Sequence, residues 1–242
     1  MITKAVAVLE ALARSREPQG VSQLSAQLQM PVATIHRQLQ TLVNEDLARQ
    51  TARGGLYELG ERAFTLAYTI NRRRGIQHSR AVLKELNRTT SYSTIFGKLA
   101  DTSFTYIDHL PATTALSLKG SVGASGYLHA TAIGKALLAT LDEAEFERLL
   151  PTLELTAVTS ETITDPRALK EEIARIRQQG YAVSRGENEP KVASVAVPVQ
   201  VGRDEDKTLY AVCIASHISE LDDLLTWVEE LRLAVKRLEE VI

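Results

Sequence analysis

Apolar positions recur at helical spacing in three short blocks at the start of the chain. Over residues 2–14, Ile2, Ala5, Val6, Leu9, Leu12 and Ala13 form one helical stripe. Pro18-Gln19-Gly20 interrupts it, and Ser22 offers an N-cap for a second short helix with Leu24 and Leu28 inward. Pro31 suits the first position of a third helix, where a missing N–H costs nothing. On that helix Val32, Ile35, Leu39, Leu42 and Val43 read as inward, and Ala33, Thr34, Arg37, Gln38 and Thr41 as outward, with His36 beside them. Residues 47–50 and 56–59, joined by a turn containing Arg53-Gly54-Gly55, read as a two-stranded ribbon. Two helices, a short turn, a third helix and a ribbon make a winged helix-turn-helix over residues 1–60. A helical pattern over 61–75 follows, ending in Arg72-Arg73-Arg74 before Gly75, and serves as a linker.

From residue 76 to 242 the pattern changes. A helix with Val82, Leu83 and Leu86 leads to strand-like stretches at 92–99, 104–110 and 115–119, and helical spacing resumes over 131–141 and 143–150. Asp165-Pro166 opens another helix and Gly180 closes it, each in its favoured position. Strands at 181–185, 193–201 and 208–216 precede a final helix from about 220 to 242, with a charged hairpin tip at Gly202–Asp206. Runs of strands broken by a block of helices point to an α+β domain with a mainly antiparallel sheet.

Charge sharpens the division. Residues 1–80 carry 11 Lys/Arg against 6 Asp/Glu, while residues 81–242 carry 17 against 24. A basic front fits a polyanionic partner. The outward side of the third helix is small, hydrogen-bonding and basic, with no carboxylate before Glu45, which suits a helix in the DNA major groove. Thr34, His36 and Arg37 are the candidate groove residues, Ser22 a neighbouring contact, and Arg53 on the wing a phosphate or minor-groove contact. The alternative is a winged helix that docks on protein rather than DNA.

Composition, at 44% hydrophobic and 24% charged residues, is that of a globular protein. One cysteine, Cys213, forms no internal disulfide. The chain shows no signal-peptide pattern and no apolar run of membrane-spanning length, so a cytoplasmic protein with no membrane partner is expected. Enzymatic motifs are lacking. Gly134-Lys135 is not a phosphate loop, since the preceding glycine is Gly126 and Ala136 stands where Ser or Thr would hold Mg²⁺. The five histidines and Cys213 have no metal-ligand spacing, no Gly-x-Ser-x-Gly elbow exists, and Cys213 lies in an apolar strand. No catalytic residue, cofactor or metal is expected.

One feature in the second domain has ligand chemistry of its own. Thr131 can cap a helix beginning at Ala132, leaving N–H groups at Ala132, Ile133 and Gly134 free. Free amides backed by the macrodipole favour a carboxylate.

Several segments, in order, resemble the IclR family of bacterial transcription regulators, and the resemblance spans essentially the whole chain. They are Thr3–Leu12 and Thr34–Leu42, then Leu128–Ala139, Thr162–Asp165, Gly180–Ala182, Ser184-x-x-Glu187 and Ser194–Val199. The resemblance implies a winged-helix DNA-binding domain joined by a helix to a GAF-like effector-binding domain over 76–242. It implies homodimers or homotetramers on palindromic operator DNA, with a small-molecule effector, commonly an organic or aromatic acid of catabolism, altering binding. Matched residue by residue, it places effector contacts at the backbone of Ala132 and Ile133 and at Ser184, Ser194, Cys213 and Ala215, with Leu118 as an apolar wall. The chain departs from the family pattern at Tyr127, where proline is frequent and a ring could stack on an aromatic effector. It departs again at Lys191 and Gln29, where glycine is usual.

Overall fold

The computed structural model describes residues 2–15, 17–51, 55–73, 76–112, 120–202 and 207–242, without the side chains of 68, 70–73, 76 and 77. The turn residue Arg53, the wall residue Leu118, the strand expected at 115–119 and most of the charged tip after Gly202 lie outside them. The chain divides into two compact units, Met1–Arg74 and Gly75–Ile242.

The first unit contains α1 (Ile2–Arg14), α2 (Val21–Leu28), α3 (Val32–Asn44) and α4 (Glu61–Arg73), with strands β1 (Gln19–Gly20), β2 (Ala48–Gln50) and β3 (Leu56–Leu59). Its core packs Val8, Ala11 and Leu12 of α1 against Leu24, Ile35, Leu39, Leu42 and Tyr57. The stripe on α1 is therefore rotated from expectation. Val8 is fully buried, whereas Ile2 is 81% exposed and Val6 44% exposed, and Ala13 is exposed as well. On α3 the inward row is Ile35, Gln38, Leu39 and Leu42. These are i, i+3, i+4 and i+7 positions on one face. Gln38 thus lies inside and Val32, on the first turn beyond the neighbouring helices, outside.

Two helix starts also differ. The N-cap of α2 is Gly20, not Ser22, and the Gly20 N–H donates to Gln23 Oε1 at 2.7 Å. Gly20 is held there because β1 pairs antiparallel with β3, so the ribbon has three strands in the order β1-β3-β2. Ser22 sits one residue inside α2, exposed. Pro31 caps α3 from outside, its carbonyl accepting from Thr34 and Ile35 N–H. Gln29 ends α2 in the left-handed region, at φ 51°, the conformation for which glycine is the usual residue.

The second unit is built on a six-stranded sheet, every pairing antiparallel. It uses β4 (Ser93–Ala100), β5 (Ser103–Leu110), β6 (Ser125–Gly126), β7 (Ala182–Arg185), β8 (Val192–Val201) and β9 (Thr208–His217) in the order β6-β5-β4-β9-β8-β7. Period-two alternation gives it two apolar faces. Val195, Val197, Val199, Tyr210, Val212 and Ile214 face α5 (Ile76–Thr90), α9 (Leu221–Thr226) and α10 (Val228–Val241). Phe104, Tyr106, Ala196, Ala211, Cys213 and Ala215 face α6 (Ala132–Thr140), α7 (Glu143–Leu149) and α8 (Pro166–Gln179). The final helical stretch is two helices, broken at Trp227 (φ −90°, ψ 9°). Asp165 caps α8 and Gly180 ends it at φ 80°.

Candidate functional site

In the first unit, the outward side of α3 carries Ala33, His36, Arg37, Gln40, Thr41 and Asn44, all exposed, while Thr34 is half-buried. The Thr41 hydroxyl is taken up by donation to the Arg37 carbonyl at 3.0 Å. The first acid after this face, Glu45, is neutralised by Arg62 at 2.7 Å. The result is a cationic, hydrogen-bonding helix face with its nearest carboxylate already paired, the requirement for approaching duplex phosphates and base edges. On the ribbon, Arg49 is bound to Glu58 at 2.8 Å.

In the second unit the site is assembled by strand register. Ser184 pairs with Ser194, and Ser194 with Ala215, in one row across β7, β8 and β9. On β9, Cys213 lies two residues from Ala215 and on the same face, opposite Ile95 on β4. Over this row lies the start of α6. Thr131 caps the helix by accepting from Gly134 N–H at 2.9 Å and donates to the Tyr127 carbonyl at 2.8 Å. Gly134 is therefore satisfied, contrary to expectation, and two amides rather than three remain, those of Ala132 and Ile133. Neither finds an acceptor among the described residues.

These groups line a half-open cavity of about 50 Å³, formed by Ala132, Ile133, Ser184, Ser194, Cys213 and Ala215, together with Ile95, Phe104, Tyr106, Thr131, Asn188, Glu189 and Val192. Six of the sequence candidates thus meet in one hollow. Tyr127 does not. Its ring is 45% exposed, stands edge-on to His129 with centroids 5.6 Å apart, and lines a separate, larger hollow with Ser125, Leu128 and Glu154. The cause is close packing at Gly134, where an added Cβ would meet Leu128 Cα at 2.4 Å and the Tyr127 carbonyl at 2.5 Å. With its backbone pressed on the helix, the tyrosine turns its ring away.

Sequence reasoning missed Phe104, Tyr106, Asn188 and Glu189. Phe104 and Tyr106 alternate on β5, a period-two signal in plain view, but nothing in the pattern says which face meets α6. Phe104 fits because Gly97 and Gly126 leave room, an added Cβ lying 2.8 Å and 2.3 Å from its ring. Asn188 and Glu189 lie inside the Ser184–Ser194 segment but outside its motif positions.

Behind the cavity, Lys135 is 1% exposed and lies between two carboxylates, Glu187 at 2.8 Å and Glu172 at 3.1 Å. Glu187 also accepts from Arg185 N–H, and its carbonyl accepts from Thr162 Oγ1 at 2.6 Å. Burial pushes the Glu187 carboxyl up against the pull of Lys135. Burial also opposes ionisation of Glu172, yet Lys135 and Arg175 hold it below the usual carboxylate range. The cation expected to be irrelevant as a phosphate loop is instead the buried tie between α6, α8 and the loop that carries Asn188 and Glu189.

Burial raises the Cys213 thiol to about 12. It stays protonated and serves the wall as a small, weakly polar surface rather than a nucleophile. Tyr106 is pushed up to about 12, chiefly by burial, then by Cys213 and Glu189. Its hydroxyl is a neutral donor or acceptor.

Comparison with known proteins places both units. The family profile described as IclR helix-turn-helix domain matches residues 1–52, and that described as bacterial transcriptional regulator IclR C-terminal matches residues 68–238. The chain belongs to the IclR family of bacterial transcriptional regulators.

Among its relatives is the probable transcriptional regulator SauR of Cupriavidus necator, 31% identical over 96% of this chain and 92% of that protein. The regulator XynR of Escherichia coli is 31% identical over 92% of this chain and 88% of that one. A putative IclR regulator from a Silicibacter species superimposes with a TM-score of 0.77 at 30% identity, over 99% of this chain and 94% of the other. An IclR homologue from Microbacterium hydrocarbonoxydans, solved with 4-hydroxybenzoate, shares the fold at a TM-score of 0.79 and 21% identity, over 100% of this chain and 99% of the other. As an IclR-family member the chain is a transcriptional regulator with a winged-helix DNA-binding domain and a mainly antiparallel α+β ligand-sensing domain. Among the described residues no helix is long and apolar enough to cross a membrane.

Proposed function

We propose that this IclR-family regulator reads operator DNA with the outward side of α3 and releases or tightens its hold when a small carboxylic acid enters the cavity at the start of α6. The observation that carries the ligand half is the pair of unpartnered amides at Ala132 and Ile133, lining a half-open, mixed polar and apolar hollow. Two N–H groups at a helix start match the two oxygens of a carboxylate, and the helix dipole adds to the attraction. Ser184, Ser194 and Cys213 supply weak polar contacts without a competing cation. The acid seen in the Microbacterium homologue is consistent with this chemistry.

On the DNA side, Arg37 and His36 reach the groove, Thr34 supports them from the helix edge, and Ser22 at the start of α2 contacts the backbone. Arg53, on the turn outside the described residues, completes the set from the wing. Ile2, Val6 and Ala13 give α1 a second apolar face away from its own core. This supports a homodimer, the arrangement that two half-sites of a palindrome require. Such a regulator works beside the bacterial chromosome, in the cytoplasm.

Arg37→Ala is expected to weaken operator binding at least about ten-fold, the worth of one good base or phosphate contact, with ligand affinity intact. Ser194→Leu is expected to fill the cavity and abolish the ligand response while DNA binding persists. Fluorescence anisotropy on operator DNA, with and without acids, reads both. DNA affinity should fall steeply with salt. No binding at about 50 mM salt transfers α3 to a protein-docking role, and a normal response in Ser194→Leu moves the ligand elsewhere.

A further inference from the structure

We propose that the hollow beside Tyr127 is a second small-molecule site, separate from the cavity at the start of α6, which takes an organic ammonium ion with a flat apolar face and thereby steadies the cap of α6. It stands or falls independently of the acid proposed above. Room comes first. The hollow is half-open and of about 400 Å³, against about 50 Å³ for the cavity at α6. A ring-sized molecule enters it without moving the walls.

The chemistry of those walls comes second. Ser103 and Thr152 commit their hydroxyl protons to the carbonyls of Ala100 at 3.2 Å and Leu149 at 2.7 Å, which leaves their oxygens to accept. His129 is 2% exposed, with Nε2 3.0 Å from the Thr156 carbonyl. That nitrogen carries the proton, so in the neutral ring Nδ1 is an acceptor. Glu154 adds a carboxylate, and among the described residues no Lys or Arg lines the hollow. The lining therefore calls for hydrogen-bond donors and positive charge, in a part of the chain, residues 81–242, that carries 24 Asp/Glu against 17 Lys/Arg. Tyr127 supplies the apolar wall. Its ring meets His129 through an edge contact, so at least one face is clear of the histidine, and a tyrosine face attracts an ammonium ion.

The same residue is tied to α6. The Tyr127 carbonyl accepts from Thr131 Oγ1 at 2.8 Å, and that oxygen accepts from Gly134 N–H at 2.9 Å as the helix cap. Gly134 packs on the backbone of Tyr127 and Leu128 too closely to admit a side chain. A ligand that pins the tyrosine ring thus restrains the backbone from which α6 starts.

Calorimetric titration of the full chain with benzylammonium and with benzyl alcohol at neutral pH tests the site, because the two share a ring and differ in charge. At a half-exposed site the ring and the carboxylate each contribute a few-fold, so benzylammonium is expected to bind about ten-fold more tightly than the alcohol. Glu154→Gln should remove most of that preference, and Tyr127→Ala should weaken both probes. Both residues are exposed, so the fold tolerates either change. With benzylammonium bound, hydrogen exchange should slow at the amides of residues 131–135. No binding in the millimolar range, equal binding of the two probes, or binding unaltered by either substitution overturns the site. Exchange unaltered over 131–135 while the probe binds overturns the link to α6 and leaves the site standing.

Discussion

Cys213 and Tyr106 face the ligand cavity with their protons held. An unfolded thiol loses its proton near 9 and an unfolded phenol near 10, while in the folded chain both are pushed up to about 12, chiefly by burial. Above pH 9 the unfolded state therefore binds fewer protons than the folded one. Stability is intact below that point and is lost as pH rises toward 12, by up to about 1.4 kcal/mol per pH unit and group. Urea unfolding at fixed pH values should show Cys213→Ala losing less stability between pH 9 and 11 than the parent chain. Parallel curves would mean that the thiol titrates alike in both states. The same burial explains why the lone cysteine, visible in the sequence as a chemical singularity, belongs to the wall and not to a reaction.

Among the elements, α6 carries the most, because one helix presents amides to the cavity and a buried cation to its rear. Lys135→Met strands Glu187 without its cation and leaves Glu172 to Arg175 alone, and removing one partner of a buried ion pair typically costs about 3–5 kcal/mol. Urea denaturation should show a loss of that order, and adding Glu187→Gln should recover part of it. A loss below about 1 kcal/mol would reduce the triad to a surface pair. What the sequence disclosed about elements follows from how many residues each signal spans. Helix α8 was legible at both ends because Asp165, Pro166 and Gly180 each act locally. Strands β8 and β9 were legible because each is a ten-residue run rich in β-branched and apolar residues, β9 being buried on both faces. Two-residue strands such as β1 and β6 carry no period at all. The break at Trp227 was hidden because the apolar spacing runs straight through it. On α1 the apolar stripe marks what is apolar but not what covers it, so it favours Ile2 and Val6 over Val8, the residue that is fully buried. The cavity was legible only in part. Ser184, Ser194 and Ala215 are distant in the chain and become neighbours through strand register, which no local pattern encodes; the family resemblance supplied them. Glu189 lay outside both signals.

At the scale of the whole molecule, the proposed DNA-reading helix and the proposed ligand hollow belong to separate compact units, and any coupling between them is a single free energy. Linkage demands that operator DNA change acid affinity by the factor with which the acid changes operator affinity. Titrating the acid with and without saturating operator should return equal factors, and unequal ones would mean that a third state or an assembly step intervenes. The ligand-sensing unit meets a further physical demand through the proportions of its sheet. Its central strands run to eight and ten residues, while its margins, β6 and β7, have only two and four. Exposed strand margins are templates on which other chains can polymerise, and brevity blunts them. The taper leaves each outermost strand little length on which another chain could pair.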